Sequence, residues 1–489
     1  MTDVPQRFRR WALLFLADAL VVYVAFVGAL VLRTGRAVWL PSEVGYEATF
    51  AITALVSLAA LLVARGYTQA PWTMRLGDYA RLTKALAVGG ILAVGLDYLA
   101  GPFRMPMRGI VAGQWLLTVV GVLGVRIAAR LAVERWPKLA GDLLPVPLTL
   151  HHLFDRPDPT VDRPALVRYL APRTVLVTGA GGSVGSELAR QLAAFGPARL
   201  VLVDIGELGL FNLEPQLAAY DGDLVLRIAD LRNEQAVQRL LATYQPDVVL
   251  HAAAYKHVPL MEAHPREAFA NNTLATARLV RACEAADVEQ FVFISTDKAV
   301  APTSVLGTTK RLAEWAVRAG GRTMRRKAVR FGNVFGSQGS VVPRFVQQIE
   351  AGGPVTVTHP EMTRYFMSAE EAATLVLHTL VLDEAPLFLL RMGEPMRIVD
   401  LAERLIRHLA PGQDIAVEFT GIRPGEKLHE QLWEPDERPT ETRHPAIFGL
   451  TSTPPLSHAE LDTLLHDLAA IDEDEALRTA LQRATQQHA

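Results

Sequence analysis

"TVLVTGAGGSVGSELARQLAAFG", residues Thr174–Gly196, passes from an unbroken apolar run through a glycine cluster into apolar residues at helical spacing. A short, β-branched apolar run is what a strand covered on both faces requires, and the period changes to 3.6 directly after it. Gly179, Gly182 and Gly185 are spaced G-x-x-G-x-x-G, with Ser183 and Val184 inside the same turn. A turn of this kind brings the backbone close to a pyrophosphate and sets the phosphate at a helix N-terminus. Strand-to-helix turns also use glycine for geometry alone, so the neighbouring sequence has to decide.

It decides for a dinucleotide. "ARLVLVD" supplies a second strand ending at Asp204, about 20 residues beyond the turn, where a carboxylate accepts hydrogen bonds from an adenosine ribose. The same carboxylate repels a 2′-phosphate, which favours NAD over NADP. "LVLRIADLRN" ends a third strand at Asp230 and Leu231, candidates for the adenine edge. "PDVVLHAAAYKHV" gives a fourth, whose small Ala252 and Ala253 let the backbone lie flat against a cofactor. "FVFIST" is the fifth. Strands alternating with helices predict an α/β fold, a Rossmann-type doubly wound parallel sheet with its site at the carboxyl ends of the strands.

The rest of the chain bounds the setting. It has 489 residues and a formal net charge of −2, so charge gives no support to a nucleic-acid partner. Its one cysteine, Cys283, excludes an internal disulfide and cysteine-rich metal sites, and no metal is expected. Apolar residues concentrate in Ala12–Leu32, Ala48–Ala64, Leu82–Ala100 and Gly109–Leu131. The first would run about 31 Å as a helix, enough to cross a bilayer and too long for a cleaved signal. Asp18 and Asp97 fall inside such segments; an intramembrane carboxylate invites a functional reading, but pairing between helices is the simpler one.

Arg7, Arg9 and Arg10 precede the first segment, Arg65, Arg75, Arg81 and Lys84 surround the second connection, and Arg126, Arg130, Arg135 and Lys138 close the fourth. The other two loops carry only Arg33 and Arg36, and Arg104 and Arg108. This bias places both ends of a four-helix region inside. The expected organisation is a transmembrane region over 1–135, a proline-punctuated linker over 136–172, a catalytic domain over 173–450 divided near residue 330 into cofactor and substrate parts, and a helical tail over 451–489.

"STDKAVAPTSVLGTTK", Ser295–Lys310, carries the chemistry. Short-chain dehydrogenases place a tyrosine four residues before the helical lysine, one turn away on the same face. Here that position is Leu306, which holds no proton. Together with "TGAGGSVGSEL", "HAAAYKHVPLME", "VRFGNVFGSQGSVVPRF", "THPEMTRYFMSAEEA" and "RPGEKLHE", the stretch resembles the membrane-anchored nucleotide-sugar 4,6-dehydratases of bacterial polysaccharide biosynthesis, in the extended short-chain dehydrogenase superfamily. The likeness covers roughly residues 160–435. Long members of that family carry a further nucleotide-binding-like domain after the spans, where this chain has only the linker, and commonly methionine where it has Leu306.

The resemblance implies a redox-neutral dehydration of UDP-N-acetylglucosamine to its 4-keto-6-deoxy product: bound NAD oxidises C4, the C5 proton leaves, water departs from C6 and the hydride returns there. Asp297 would then assist proton transfer at the hydroxyls, Lys298 would be the C5 base, Thr296 would bond the C4 oxygen, and Lys310 would hold the nicotinamide ribose. Lys256, His257, Asn333, Arg344, Arg364, Arg423 and Glu426 are the candidates for the nucleotide-sugar side, where arginine forks suit a diphosphate. The expected partners are the nucleotide sugar, the lipid bilayer and further copies of the chain in a homo-oligomer, with a multi-pass inner-membrane location and a cytoplasmic catalytic domain. Two other readings stand beside this one, a nucleotide-sugar 4-epimerase and an inert membrane scaffold that binds nucleotide sugar.

Overall fold

The computed structural model describes residues 4–34, 47–64, 76–100, 108–135, 159–319, 323–410, 413–452 and 456–487. The chain divides into two compact units, Met1–Pro147 and Leu148–Ala489. The expected linker falls largely on residues 136–158, and Arg36, Arg65, Arg75, Arg104 and Lys138 also lie outside the described residues.

The first unit contains α1 (Val4–Thr34), α2 (Glu47–Val63), α3 (Leu76–Ala100) and α4 (Arg108–Arg135). Among its described residues three stretches, Leu14–Leu32, Asp78–Leu96 and Val111–Ala129, are long and apolar enough to cross a membrane, with mean hydropathies of 2.4, 1.3 and 1.6. The sequence suggested four. The helix that falls short is α2, whose 17 residues amount to about 26 Å against a hydrocarbon core of about 30 Å.

Asp18 and Arg126 close a fully buried, bidentate ion pair between α1 and α4, with Nη1–Oδ1 2.7 Å and Nη2–Oδ2 2.8 Å. Arg126 Nη1 also donates to the Val122 carbonyl at 3.2 Å. Asp18 therefore serves helix pairing, because an apolar surround leaves a carboxylate little choice but a partner. The side chain of Asp97 is outside those described.

The second unit is built on a nine-stranded sheet. Its parallel part comprises β1 (Thr174–Thr178), β2 (Arg199–Asp204), β3 (Asp223–Ile228), β4 (Val248–His251), β5 (Gln290–Ile294), β6 (Arg325–Arg330) and β7 (Leu387–Leu390). Two antiparallel strands, β8 (Arg438–Glu441) and β9 (Ile447–Thr451), complete one edge, giving the order β8-β9-β7-β6-β5-β4-β1-β2-β3. The order reverses at β1, which pairs in parallel with both β2 and β4, Val175 lying opposite Leu200 and Val248. A crevice opens outside the strand ends at such a switch point, and that is where a dinucleotide binds in this Rossmann-type fold.

Strands β4 and β5 are buried along their length and β1 from Val175 onward, as both-face coverage demands. Helix α5 (Ser183–Phe195) packs on the sheet through Leu188, Ala189 and Leu192, all fully buried. Each such leucine contributes about 1.5–3 kcal/mol relative to exposure. Helix α6 (Val305–Arg318) follows β5 and is buried from Val305 to Val317. Its outer face is covered by α7 (His458–Ala469) and α8 (Asp474–Gln487): Trp315 and Leu312 share a core with Leu461, Leu465, Leu477 and Leu481. The tail is helical, as its sequence suggests, and it packs on the helix that carries Lys310. The segment 331–450, expected to form a substrate part, contributes β7, β8 and β9 to the main sheet and holds a smaller core of its own around Val342, Phe345, Phe366, Leu401 and Leu405.

Candidate active site

The glycine turn between β1 and α5 is fixed by packing. Gly179 has φ +68°, and a Cβ there would stand 2.5 Å from the Ala253 amide nitrogen. A Cβ on Gly185 would stand 2.0 Å from the Gly179 carbonyl oxygen. Gly182 begins α5 with no side-chain cap among the described residues, so the first-turn N–H groups face the cleft. Ser183 Oγ accepts from the Gln338 amide at 3.2 Å, tying the turn to the opposite wall. These features fit a dinucleotide pyrophosphate: a cradle that any side chain would fill, and free donors at a helix N-terminus.

Asp204 ends β2 beside this turn. Its Oδ2 accepts from the Gly181 amide at 2.8 Å and its Oδ1 from the Gly206 amide at 2.7 Å, so it staples the two turns together and keeps further lone pairs for a ribose. Asp230 accepts from the Arg232 amide at 2.9 Å and from its guanidinium at 2.9–3.1 Å. Those hydrogen bonds hold its carboxyl below the ordinary carboxylate range. Leu231 packs against the core. Gly179, Gly182, Ser183, Val184, Gly185 and Ala252 line the cleft, whereas Asp204, Asp230, Leu231 and Ala253 are not among its lining residues. Asp204→Ala is expected to weaken NAD binding and to narrow the preference over NADP in a binding titration. Preference for NADP by the unsubstituted chain overturns that role.

At the end of β5 the chain leaves the sheet through Thr296, whose φ of −151° is still extended, into a single turn over Asp297–Ala299. Thr296 Oγ1 accepts from the Lys298 amide at 3.4 Å and donates to Asp297 Oδ1 at 3.0 Å. Lys298 Nζ donates to the same Asp297 oxygen at 3.0 Å and to Asn333 Oδ1 at 2.9 Å. Asp297 is fully buried, and its Oδ2 has no hydrogen-bond partner among the described residues. The backbone of Gly332 makes room for it, since a Cβ there would lie 3.0 Å from Oδ2.

Leu306 lines the same cleft, one turn before Lys310. Lys310 Nζ donates to the Ile294 carbonyl at 2.6 Å and sits 3.9 Å above the Phe293 ring. Burial pushes it down to about 7, against the pull of Glu314.

A cleft of about 680 Å³ joins these groups to the proposed substrate side: Lys256, His257, Asn333, Arg344, Arg364, Arg423 and Glu426 all line it. Burial lowers Lys256 below the usual lysine range, and burial with the neighbouring Lys256 lowers His257. Arg344 donates to Thr356 Oγ1 at 3.2 Å. Arg364 spends its guanidinium on the carbonyls of Thr363 (2.7 Å), Lys427 (2.9 Å) and Leu428 (3.3 Å), which makes it a support for the 423–430 loop. One residue escaped the sequence reading. Glu430, last in "RPGEKLHE", reaches the cleft from that loop and stands 3.8 Å from Lys298 Nζ.

A switch-point glycine cradle joined to an acid–lysine pair after the fifth strand defines a dinucleotide-binding protein of short-chain dehydrogenase type. Residues 175–452 match the family described as polysaccharide biosynthesis protein, and the chain belongs to it. The capsular polysaccharide biosynthesis protein CapD of Staphylococcus aureus is 46% identical over 293 residues, which are 58% of this chain and 49% of that protein. The chain thus spans about half the length of such curated relatives. A UDP-glucose 4-epimerase of Rickettsia canadensis is 33% identical over 276 residues, 53% of this chain and 77% of that protein. The X-ray structure of Pen from Bacillus thuringiensis is similar with a TM-score of 0.54 and 28% identity, over 66% of this chain and 99% of that one.

Proposed function

We propose that the protein is an NAD-dependent, membrane-associated enzyme acting on a nucleotide sugar for polysaccharide synthesis, and that its reaction is 4,6-dehydration, with UDP-N-acetylglucosamine as substrate. One observation carries the choice of reaction: Lys298 lies 3.0 Å from buried Asp297 in a cleft where the usual phenol position is the aliphatic Leu306. Bound NAD supplies reversible hydride exchange with a sugar carbon. The chain's own residues must do the rest. Gly179, Gly182 and Gly185 would admit the pyrophosphate, and Lys310 would hold the nicotinamide ribose. Thr296 and Asp297 are placed for a hydroxyl proton, and Lys298 for the proton α to a C4 ketone. A lysine acts as a base only in its neutral form. For the first unit, α2 is assigned as a fourth, short crossing, which keeps the second unit on the cytoplasmic side with the clustered arginines.

A second reading, 4-epimerisation, is favoured by the name of the Rickettsia relative. It needs the same cofactor and no C5 base. Mass spectrometry separates the two when the full chain in detergent is incubated with NAD and a panel of nucleotide sugars. Dehydration gives a product lighter by one water; a product of unchanged mass but altered chromatographic position establishes epimerisation instead.

A further inference from the structure

The 423–430 loop brings a second carboxylate to Lys298 from the far side of the cleft. Glu430 has a side chain only 3% exposed. Its Oε1 lies 3.8 Å from Lys298 Nζ and 3.7 Å from Arg364 Nε, and its Oε2 lies 3.8 Å from Lys427 Nζ. Oε2 has no hydrogen-bond partner among the described residues. A carboxylate this deeply buried is costly unless it is paired, and here three cations share it at distances too long for tight bonds. We propose that Glu430 is a positioning residue for Lys298, holding the amine over the cleft between two carboxylates, its own and that of Asp297.

The loop's attachments support this. Arg364 grips the Lys427 and Leu428 carbonyls, and Lys427 Nζ donates to the Val300 carbonyl just beyond the Asp297–Ala299 turn. Glu430 is therefore held against Lys298 from both of its neighbours. Asp297 and Asn333 fix the amine from the β5 and β6 side, and Glu430 faces them. The charged and titratable groups around the pair are Asp297 on the turn after β5, Arg364 and Tyr365 on the 363–367 segment, Lys427 within the loop and Glu434 beyond it. Removing the Glu430 charge takes away an anion at 3.8 Å that favours the ammonium form of Lys298.

The inference rests on the acid–lysine reading of the site, but its test does not require turnover. Full-length protein in detergent is acetylated with a trace of acetic anhydride across a pH series, and Lys298 modification is read by peptide mass spectrometry. In Glu430→Gln the pH profile of Lys298 reactivity should move to lower pH, since an anion 3.8 Å from its Nζ has been removed. Glu430→Asp, which keeps the charge, should restore most of the difference. An unchanged midpoint in Glu430→Gln, with NAD still bound in a titration, overturns the proposal. So does a fall of equal size in Glu430→Asp. A shifted midpoint in a protein that removes no water from any nucleotide sugar sinks the proposed reaction and leaves the Glu430–Lys298 coupling standing.

Discussion

Lys298→Met should abolish water loss from the nucleotide sugar while NAD titrates as it does in the unsubstituted protein. The two effects separate because Lys298 and Lys310 are anchored to different parts of the site. Lys298 Nζ is bonded to Asp297 and Asn333, over the sugar side of the cleft. Lys310 Nζ is bonded to the Ile294 carbonyl at the carboxyl end of β5 and lies over Phe293. Methionine preserves the length and packing of the lysine stem and removes only the ammonium. Loss of a general base costs 10²–10⁴-fold in rate, or about 3–5.5 kcal/mol in the barrier. A run in D₂O adds a direct check, since the unsubstituted enzyme should place solvent deuterium at C5 of the product. Near-normal turnover by Lys298→Met with deuterium at C5 would falsify the assignment and pass the role to another group.

The residues that define this site differ in how visible they are along the chain. Strands β1 to β5 and the glycine turn are local: their apolar runs and the 179–182–185 spacing are fixed by neighbours a few residues away. Thr296, Asp297, Lys298 and Lys310 follow β5 on the carboxyl-end side of the sheet, where the site of such a fold lies, and their roles come from the family resemblance. Glu430 is different. It meets Lys298 only because the loop folds back across 132 positions of chain, and no periodicity encodes such a meeting. Asp230 is local in the way the glycine turn is: its place after β3 suggests a cofactor contact, and Arg232, two residues on, pairs with the same carboxylate. Among the described residues α2 is the one apolar segment too short to meet the length of a span, for a local reason. Its apolar composition matches its neighbours, and only the position of its ends, at Glu47 and Val63, makes it short. The closing strands β7 to β9 were hidden because sheet partners distant in sequence leave no mark on either partner's own pattern.

Arg330→Met should cost the protein about 3–5 kcal/mol, the penalty for breaking a buried ion pair from one side. Arg330 is fully buried on β6. It bonds both oxygens of Glu314 on α6 (Nε 2.7 Å, Nη2 2.6 Å) and both oxygens of Glu437 (Nη1 2.6 Å, Nη2 2.9 Å). Arg311 adds a bond to Glu437 at 3.1 Å. The cluster clamps the sheet, the helix that carries Lys310 and the segment beyond the 423–430 loop, so its loss loosens the floor of the site. Acid sharpens the test. Burial opposes ionisation of Glu314, but Arg330 prevails and holds its carboxyl at about 2, below the ordinary 4.5. A folded value depressed in this way gives stability that is complete above pH 4.5 and is lost as pH falls towards 2. Without Arg330 the burial penalty dominates, protonation of Glu314 relieves it, and the deficit of the variant should narrow on acidification through the same window. Thermal unfolding of both proteins in detergent between pH 7 and pH 3 measures this directly. A variant that melts with the unsubstituted chain at pH 7, or whose deficit stays constant down to pH 3, rules out the clamp as a stabilising element.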